Sequence, residues 1–296
     1  MSFDHEAWSG AQSETTVSVD GHELSVAYYE GGPGSGSPDG EPTDAETLVF
    51  LHGVPTWSFL WRRIAPAFEE KYRVIVPDLL GYGNSDRRDS FDRSIRAQEE
   101  MLGALLDGLG ERRVTLVAHD IGGGAALRFA ASAPDRVDRL VASNAVCYDS
   151  WPVEFVSGLG LPETETLGDG ELEGKLDFAF AEGTYGEADP EFVAGMKAPW
   201  LRADGKRALA RAAVATNTNH TTEIDYGAID AEVLCLWGSD DVLQPVEYGE
   251  RLAEDLDGRV VELEDAYHWV LEDRPEAYRE ELRAFLTETD GAGGEA

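Results

Sequence analysis

Two spacings of apolar residues alternate along this chain, and the alternation predicts its architecture. Residues 17–19 and 23–29 alternate apolar and polar side chains on either side of Asp20-Gly21, which predicts an opening β-hairpin. Short apolar runs at 47–51, 72–76, 114–118 and 137–142 then alternate with longer amphipathic stretches near 58–70, 93–109 and 121–132. Short buried runs separated by helix-length segments predict a parallel sheet covered by helices on both faces. The strand rhythm stops between residues 149 and 225, where Phe155, Phe178, Phe180, Tyr185, Phe192 and Trp200 are scattered through polar, glycine-containing stretches. That change predicts a helical cap over 149–225, inserted in a core made of 1–148 and 226–296. The rhythm returns at 233–237 and 260–263, followed by helices near 246–256 and 275–286. Residues 31–46, rich in Gly, Pro, Ser and acids, predict an exposed loop, and 287–296 a frayed tail.

Composition adds bounds. A chain of 296 residues with 42% hydrophobic content builds one large core with an insertion and no need of staples. Cys147 and Cys235 both lie in apolar runs, which argues against a disulfide framework or a thiolate metal site and fits a reducing, cytoplasmic setting. No run approaches the roughly 18–20 apolar residues that span a bilayer, and the first ten residues are acidic and aromatic rather than basic and then apolar. The formal net charge of −34 argues against nucleic acid as a partner. Lysine occurs only at positions 71, 175, 197 and 206, and a composition of this kind resembles proteins of salt-accumulating, halophilic cells. Nothing in the sequence sets an oligomeric state, and no cofactor or metal is implied.

Candidate chemistry concentrates where apolar runs end. The run at 114–118 leads into His119-Asp120-Ile121-Gly122 and a small-residue helix start. Small residues two before and two after a reactive side chain are what a tight strand-to-helix elbow requires, and such an elbow presents Asp120 at the carboxyl edge of a sheet. Asp120 is equally suited to cap a helix when this segment is read alone. Three further segments favour the elbow. His52-Gly53-Val54-Pro55 follows the strand at 47–51, so the backbone N–H of Val54 can join that of Ile121 as an oxyanion hole. Trp237-Gly238-Ser239-Asp240-Asp241 follows a later strand, and Ala266-Tyr267-His268-Trp269 follows the last. The chain order nucleophile, acid, histidine makes Asp120, Asp241 and His268 the candidate triad, with Asp240 the alternative acid.

These motifs carry a family resemblance over almost the whole chain. The segment from His52 through Pro55-Thr56-Trp57-Ser58-Phe59-Leu60-Trp61 to Arg62 resembles haloalkane dehalogenases. Pro77-Asp78-Leu79-Leu80-Gly81-Tyr82-Gly83-Asn84-Ser85-Asp86 and His119-Asp120-Ile121-Gly122-Gly123 are shared with epoxide hydrolases as well. The resemblance implies an α/β-hydrolase fold with a mostly parallel eight-stranded sheet, a small apolar substrate, water as co-substrate, and turnover through an aspartyl ester. It implies carbon–halogen cleavage first, with epoxide hydrolysis, another esterase-like hydrolysis or a non-catalytic ligand-binding role as alternatives.

The sequence departs from the dehalogenase pattern at the halide donors. Ile121 stands where a Trp commonly follows the nucleophile, and Val54 where an Asn is common, and neither side chain can donate. Trp57, Trp151 and Trp200 are the remaining donor candidates, and Trp57, Tyr185 and Trp200 the candidate substrate contacts. Tyr148, Tyr185 and Tyr226 are the candidate acids for an epoxide. Arg128 is the first arginine after Asp120, about two helical turns on, which disfavours a haloacid. His52 and His119 read as structural members of their motifs, and His220 as a cap residue.

Overall fold

The computed structural model describes residues 4–35 and 45–288. The loop expected at 31–46 and the tail at 287–296 fall largely outside the described residues. A short helix α1 (His5–Gly10) precedes β1 (Ser13–Val19) and β2 (His22–Gly31). Asp20 and Gly21 join these strands with φ of 48° and 75°, the left-handed conformations that suit the twist of a two-residue hairpin turn. The chain continues through β3 (Thr47–Leu51), β4 (Arg73–Pro77), α2 (Ile95–Leu109), β5 (Val114–His119), α3 (Ile121–Ser132) and β6 (Val137–Ser143). Four helices follow: α4 (Glu154–Leu159), α5 (Asp169–Glu182), α6 (Pro190–Lys197) and α7 (Gly205–Thr216). The last elements are β7 (Glu232–Gly238), α8 (Val246–Asp255), β8 (Arg259–Leu263), α9 (Val270–Asp273) and α10 (Pro275–Glu288).

The strands form one eight-stranded sheet in the order β1-β2-β4-β3-β5-β6-β7-β8. β2 pairs antiparallel with both β1 and β4, and every other pairing is parallel. β3 and β5 are buried along their whole length, as expected for central strands covered on both faces. The sheet therefore has the expected α/β architecture, and its parallel strands all point toward one edge. Loops leaving β3, β5, β6, β7 and β8 at that edge carry Val54, Asp120, Asn144, Asp241 and His268, which is how residues far apart in sequence meet.

Local signals explain most boundaries. α2 starts at Ser94, whose hydroxyl accepts from the Ala97 N–H, and ends at Gly110 in the left-handed conformation. The helix expected near 58–70 is instead two short 3-10 turns, Ser58–Arg63 and Ala65–Phe68. Pro66 accounts for the break, since it has no N–H to bond back to the preceding turn and is accommodated only in the first turn of a new one. Two short helices, α1 and α9, lack a predicted counterpart because one and a half turns leave too little periodicity to detect. α1 is anchored by Trp8, which is fully buried and stacks on Tyr29 at 4.3 Å. Residues 149–225 are all described and form no strand. No helix among the described residues is long and apolar enough to cross a membrane.

Candidate active site

Asp120 is the first residue after β5 and immediately precedes α3, with φ 53° and ψ −126°. A non-glycine residue at positive φ is strained, and such strain persists only where surrounding contacts impose it. Here the contacts are close backbone approaches. A Cβ on Gly122 would lie 2.4 Å from the His52 carbonyl oxygen, and one on Gly53 would lie 2.2 Å from Oδ1 of Asp120. Both glycines are thus required for the β3 and β5 loops to touch. The contact aims the Val54 N–H at Oδ1 of Asp120, at 2.7 Å.

The second carboxylate oxygen, Oδ2, lies 3.7 Å from Nε2 of His268. The other ring nitrogen of His268, Nδ1, is 2.8 Å from Oδ2 of Asp241. Asp241 is itself held on every side. Asn144 Nδ2 donates to its Oδ2 at 2.6 Å, and the N–H groups of Leu243 and Gln244 donate to Oδ1 at 2.8 and 3.2 Å. Asp240, the alternative acid, is exposed and accepts from the hydroxyl of its neighbour Ser239. The geometry brings Asp120, His268 and Asp241 together and leaves Asp240 out.

Burial dominates the electrostatics and neighbours modulate it. Burial raises the Asp120 pKa, while His268 and the N–H groups of Val54 and Ile121 pull it back, leaving it above the usual value. Both backbone donors foreseen as an oxyanion hole therefore face the Asp120 carboxylate. Burial disfavours the charged form of His268, but Asp241, then Asp120 and Asp273, outweigh it and the pKa is raised. His52 and His119 are buried and driven toward the neutral form by desolvation, His52 to about 3. His52 ties its strand end to the β4 loop: Nδ1 meets the Gly53 carbonyl at 2.8 Å and Nε2 accepts from the Leu79 N–H at 2.9 Å. His119 packs its ring 4.8 Å from that of His268. His220 accepts a long hydrogen bond from the Arg96 N–H at 3.4 Å, near the start of α2, and takes no part in the triad.

A cavity of about 570 Å³ opens over Asp120 and His268. Its wall includes Val54, Trp151, Phe155, Phe178, Leu243 and Trp269, and it carries Glu182 and Asp240 but no lysine or arginine. The three expected substrate contacts need correcting, because Trp57, Tyr185 and Trp200 are absent from this wall. Trp57 and Trp200 are fully buried, and their indoles donate to the carbonyls of Gly195 and Pro55 at 2.9 and 2.6 Å. They fasten the β3 loop to the α6 region instead of touching substrate. Tyr185 is exposed and packs against Tyr267. The third indole, Trp151, does line the cavity, but its N–H donates to the Thr216 carbonyl at 2.6 Å.

The epoxide alternative fares no better on its tyrosines. Tyr148 donates to Asp255 at 2.6 Å and Tyr226 to the Thr221 carbonyl at 3.1 Å, and neither lines the cavity. A residue absent from the sequence analysis is Asn144, at φ 44°, which fixes the Asp241 carboxylate. Its position just after β6 was the available signal. Among the described residues, no group of His, Cys, Asp and Glu is arranged to hold a metal ion.

A strained Asp at a strand-to-helix elbow, faced by two backbone N–H groups and a His-Asp pair, thus sits at the strand ends of an eight-stranded α/β-hydrolase-fold sheet. Residues 46–162 match the alpha/beta hydrolase fold family. Over 118 residues the chain is 36% identical to the cis-3-alkyl-4-alkyloxetan-2-one decarboxylase of Xanthomonas campestris pv. campestris, covering 37% of this chain and 39% of that protein. Over 108 residues it is 41% identical to the haloalkane dehalogenase of Mycolicibacterium paratuberculosis, covering 36% of each. Each alignment thus spans well under half of the relative. Among solved structures, an α/β hydrolase fold protein from Burkholderia ambifaria matches 90% of this chain and 96% of its own, with 29% identity and a TM-score of 0.79. The chain has the α/β-hydrolase fold and is similar to its haloalkane dehalogenase-like branch.

Proposed function

We propose that this protein is an enzyme that attacks a tetrahedral carbon of a small apolar substrate with Asp120, forms an aspartyl ester, and hydrolyses that ester with water activated by His268. The observation that carries this reading is the division of labour between the two oxygens of Asp120. Oδ1 accepts from the Val54 N–H at 2.7 Å, while Oδ2 faces His268 at 3.7 Å, and both residues line the cavity. A carboxylate needs no base to act as a nucleophile once ionised, so Oδ2 displaces the leaving group directly. In the ester, Oδ1 is the carbonyl oxygen, and the N–H groups of Val54 and Ile121 receive the charge that develops on it when water attacks Cγ. His268 takes the proton from that water, and Asp241 orients the ring and stabilises the imidazolium. The helices of 149–225, proposed as the cap, supply an apolar wall that keeps bulk water from the nucleophile.

For the leaving group, the primary reading is a halide from an alkyl halide, as in the dehalogenases this chain resembles. A second reading is favoured by one specific observation: the indole N–H groups of Trp57, Trp151 and Trp200 all donate to backbone carbonyls, and Ile121 and Val54 have apolar side chains. A strained oxetan-2-one needs no halide clamp. Attack by Asp120 on the tetrahedral ring carbon bonded to the ring oxygen, not on the carbonyl carbon, breaks that C–O bond and frees a carboxylate on the same molecule. Loss of CO2 then sends its electron pair into the new C=C bond and expels the Asp120 carboxylate unchanged. The name of the Xanthomonas relative is consistent with this route. A screen in molar potassium chloride separates the two: bromide release from 1-bromobutane supports the first, and CO2 plus alkene from a cis-3,4-dialkyl oxetan-2-one the second. Diol from styrene oxide, with neither of these, would return the epoxide alternative. Failure of all three would remove the enzymatic reading.

A further inference from the structure

The segment that carries His268 is bonded to one wall of the cavity at three points, and the side chain at one of them also holds the loop itself. The Trp269 N–H donates to the Gly183 carbonyl at 2.9 Å, and its indole N–H to the Ala179 carbonyl at 3.3 Å. Asp273 closes the connection: Oδ1 accepts from the Tyr185 N–H at 2.9 Å and Oδ2 from the Tyr267 N–H at 2.8 Å. Residues 179–185 span the end of α5 and the turn beyond it, and Ala179, Glu182 and Gly183 line the cavity. Tyr267 directly precedes His268 in the chain. Gly183 permits the approach, because a Cβ there would lie 2.3 Å from the Trp269 indole nitrogen. The Trp269 ring in turn packs edge-on against His268 at 4.7 Å.

We propose that Asp273 is a positioning residue for the second chemical step: its two carboxylate oxygens tie the His268 loop to the end of α5, so the substrate wall and the base move as one unit. This rests on the aspartyl-ester reading above. Nothing in the first step needs His268, whereas water activation requires Nε2 at the right distance from Asp120 Cγ. Misplacement of a catalytic group by about an ångström costs on the order of a hundredfold in rate. The dual acceptor role demands a carboxylate, since an amide at 273 offers one acceptor oxygen and turns an NH2 toward the second N–H. Burial raises the Asp273 pKa, the N–H groups of Tyr267 and Tyr185 pull it back, and it stands at about 6. Its charge is also one of those that raise His268.

The test compares the wild type with Asp273→Asn, Asp273→Glu and Gly183→Ala, each first checked for a native circular dichroism spectrum. With 1-bromobutane, quenched-flow mass spectrometry reads the alkylation of Asp120 and the loss of the ester separately. The expected result is that Asp273→Asn changes alkylation by less than about threefold and slows ester hydrolysis by more than about tenfold, so the ester accumulates, while Gly183→Ala, whose Cβ would displace the Trp269 indole, slows ester hydrolysis in the same way. Asp273→Glu recovers part of the loss. An independent readout needs no substrate: solvent exchange of the His268 Nδ1 proton, followed by NMR, speeds at least about fivefold in Asp273→Asn. Equal slowing of both steps, or unchanged hydrolysis with unchanged proton exchange, overturns the positioning role. If 1-bromobutane leaves no adduct even on His268→Gln, the aspartyl-ester reading fails for that substrate, and proton exchange alone decides whether Asp273 holds His268.

Discussion

Nε2 of His268 stands 3.7 Å from Oδ2 of Asp120, beyond hydrogen-bond length, while its other nitrogen is bonded to Asp241 at 2.8 Å. The ring is thus fixed from behind and unbound in front. A histidine engaged by the nucleophile, as a serine would require, has no proton-accepting nitrogen to spare for water until the first step is complete. Here the nitrogen is available throughout.

That separation predicts a clean dissection of the two steps. His268→Gln should still alkylate Asp120 and then stall, with turnover lowered by about 10³ or more. Intact-protein mass spectrometry should show the added alkyl group, peptide mapping should place it on Asp120, and Asp120→Asn should show no adduct. Isotopically labelled water supplies the complementary check, since attack at Cγ leaves label in Asp120 after turnover. On the oxetan-2-one route no water is consumed, so His268→Gln would remain active and Asp120 unlabelled.

The pH dependence follows from His268. Its pKa is raised, burial being outweighed by Asp241, Asp120 and Asp273. The base works only when neutral, so ester hydrolysis should fall as pH drops through a value above the reference of about 6.5. Stability runs the other way. A basic group whose folded pKa exceeds its unfolded one stabilises fully below the unfolded value, and that contribution is lost as pH rises through the folded pKa. Asp241→Asn should move the acid limb of residual activity to lower pH. An acid limb unmoved by that change would separate His268 from the pH profile.

The sheet and the meeting of Asp120, Asp241 and His268 were legible because each rests on a local signal: a strand-length apolar run, a glycine where backbones touch, a fixed chain order. Asp120, Asp241 and His268 follow strand ends, and a topology that gathers strand ends brings them together. The substrate wall was not legible. Trp57 and Trp200 read as aromatics in search of a ligand, yet each found a backbone carbonyl across 138 and 145 residues of chain. Phe178 and Phe155 carry no sequence feature that distinguishes them from Phe180 and Phe192, which pack on each other at 5.6 Å instead. Which face of a helix looks into a cavity depends on tertiary docking, and periodicity alone leaves that open.

Salt should govern stability. The net charge is −34, and part of the basic complement is already paired, as with Arg73 between Glu30 and Glu111. The surplus carboxylates repel one another over a screening length of about 10 Å at 0.1 M salt and about 3 Å at 1 M. The melting temperature should rise by roughly 5 °C or more between about 0.1 M and about 3 M potassium chloride. An unchanged melt across that range would show that the surface charge is not limiting.

One ion pair should matter far more than those on the surface. Arg62 and Glu272 make a two-pronged contact with side chains only 4% and 3% exposed, and Arg63 adds a second partner to Glu272 at 3.2 Å. Glu272 lies in α9, four residues after His268, so the pair also backs the catalytic loop. Arg62→Met leaves a buried carboxylate with one exposed partner and should cost about 3 kcal/mol. Replacing both residues with methionine removes the uncompensated charge and should recover most of that loss. Equal destabilisation by the single and double variants would contradict the account.

The charge of the cavity sets the last prediction. Its wall holds Asp120, Asp241, Glu182 and Asp240, and no lysine or arginine. Arg128, the first arginine after the nucleophile, is committed elsewhere, bonded to Glu99 at 2.6 Å and to the His220 carbonyl at 2.8 Å. An anionic substrate therefore meets mostly like charge on its way to Asp120 and finds no lysine or arginine to grip its carboxylate. Between 1-bromobutane and 4-bromobutyrate, matched in length and leaving group, kcat/KM should favour the neutral compound by at least about tenfold at modest ionic strength. Molar salt should narrow the gap, and so should Glu182→Gln combined with Asp240→Asn, because both weaken the field at the entrance. Those two side chains are exposed and bond to none of the triad, so the double variant should leave turnover of 1-bromobutane close to that of the wild type. A preference for 4-bromobutyrate, or a gap that neither salt nor the double variant alters, would mean that shape and not charge selects the substrate.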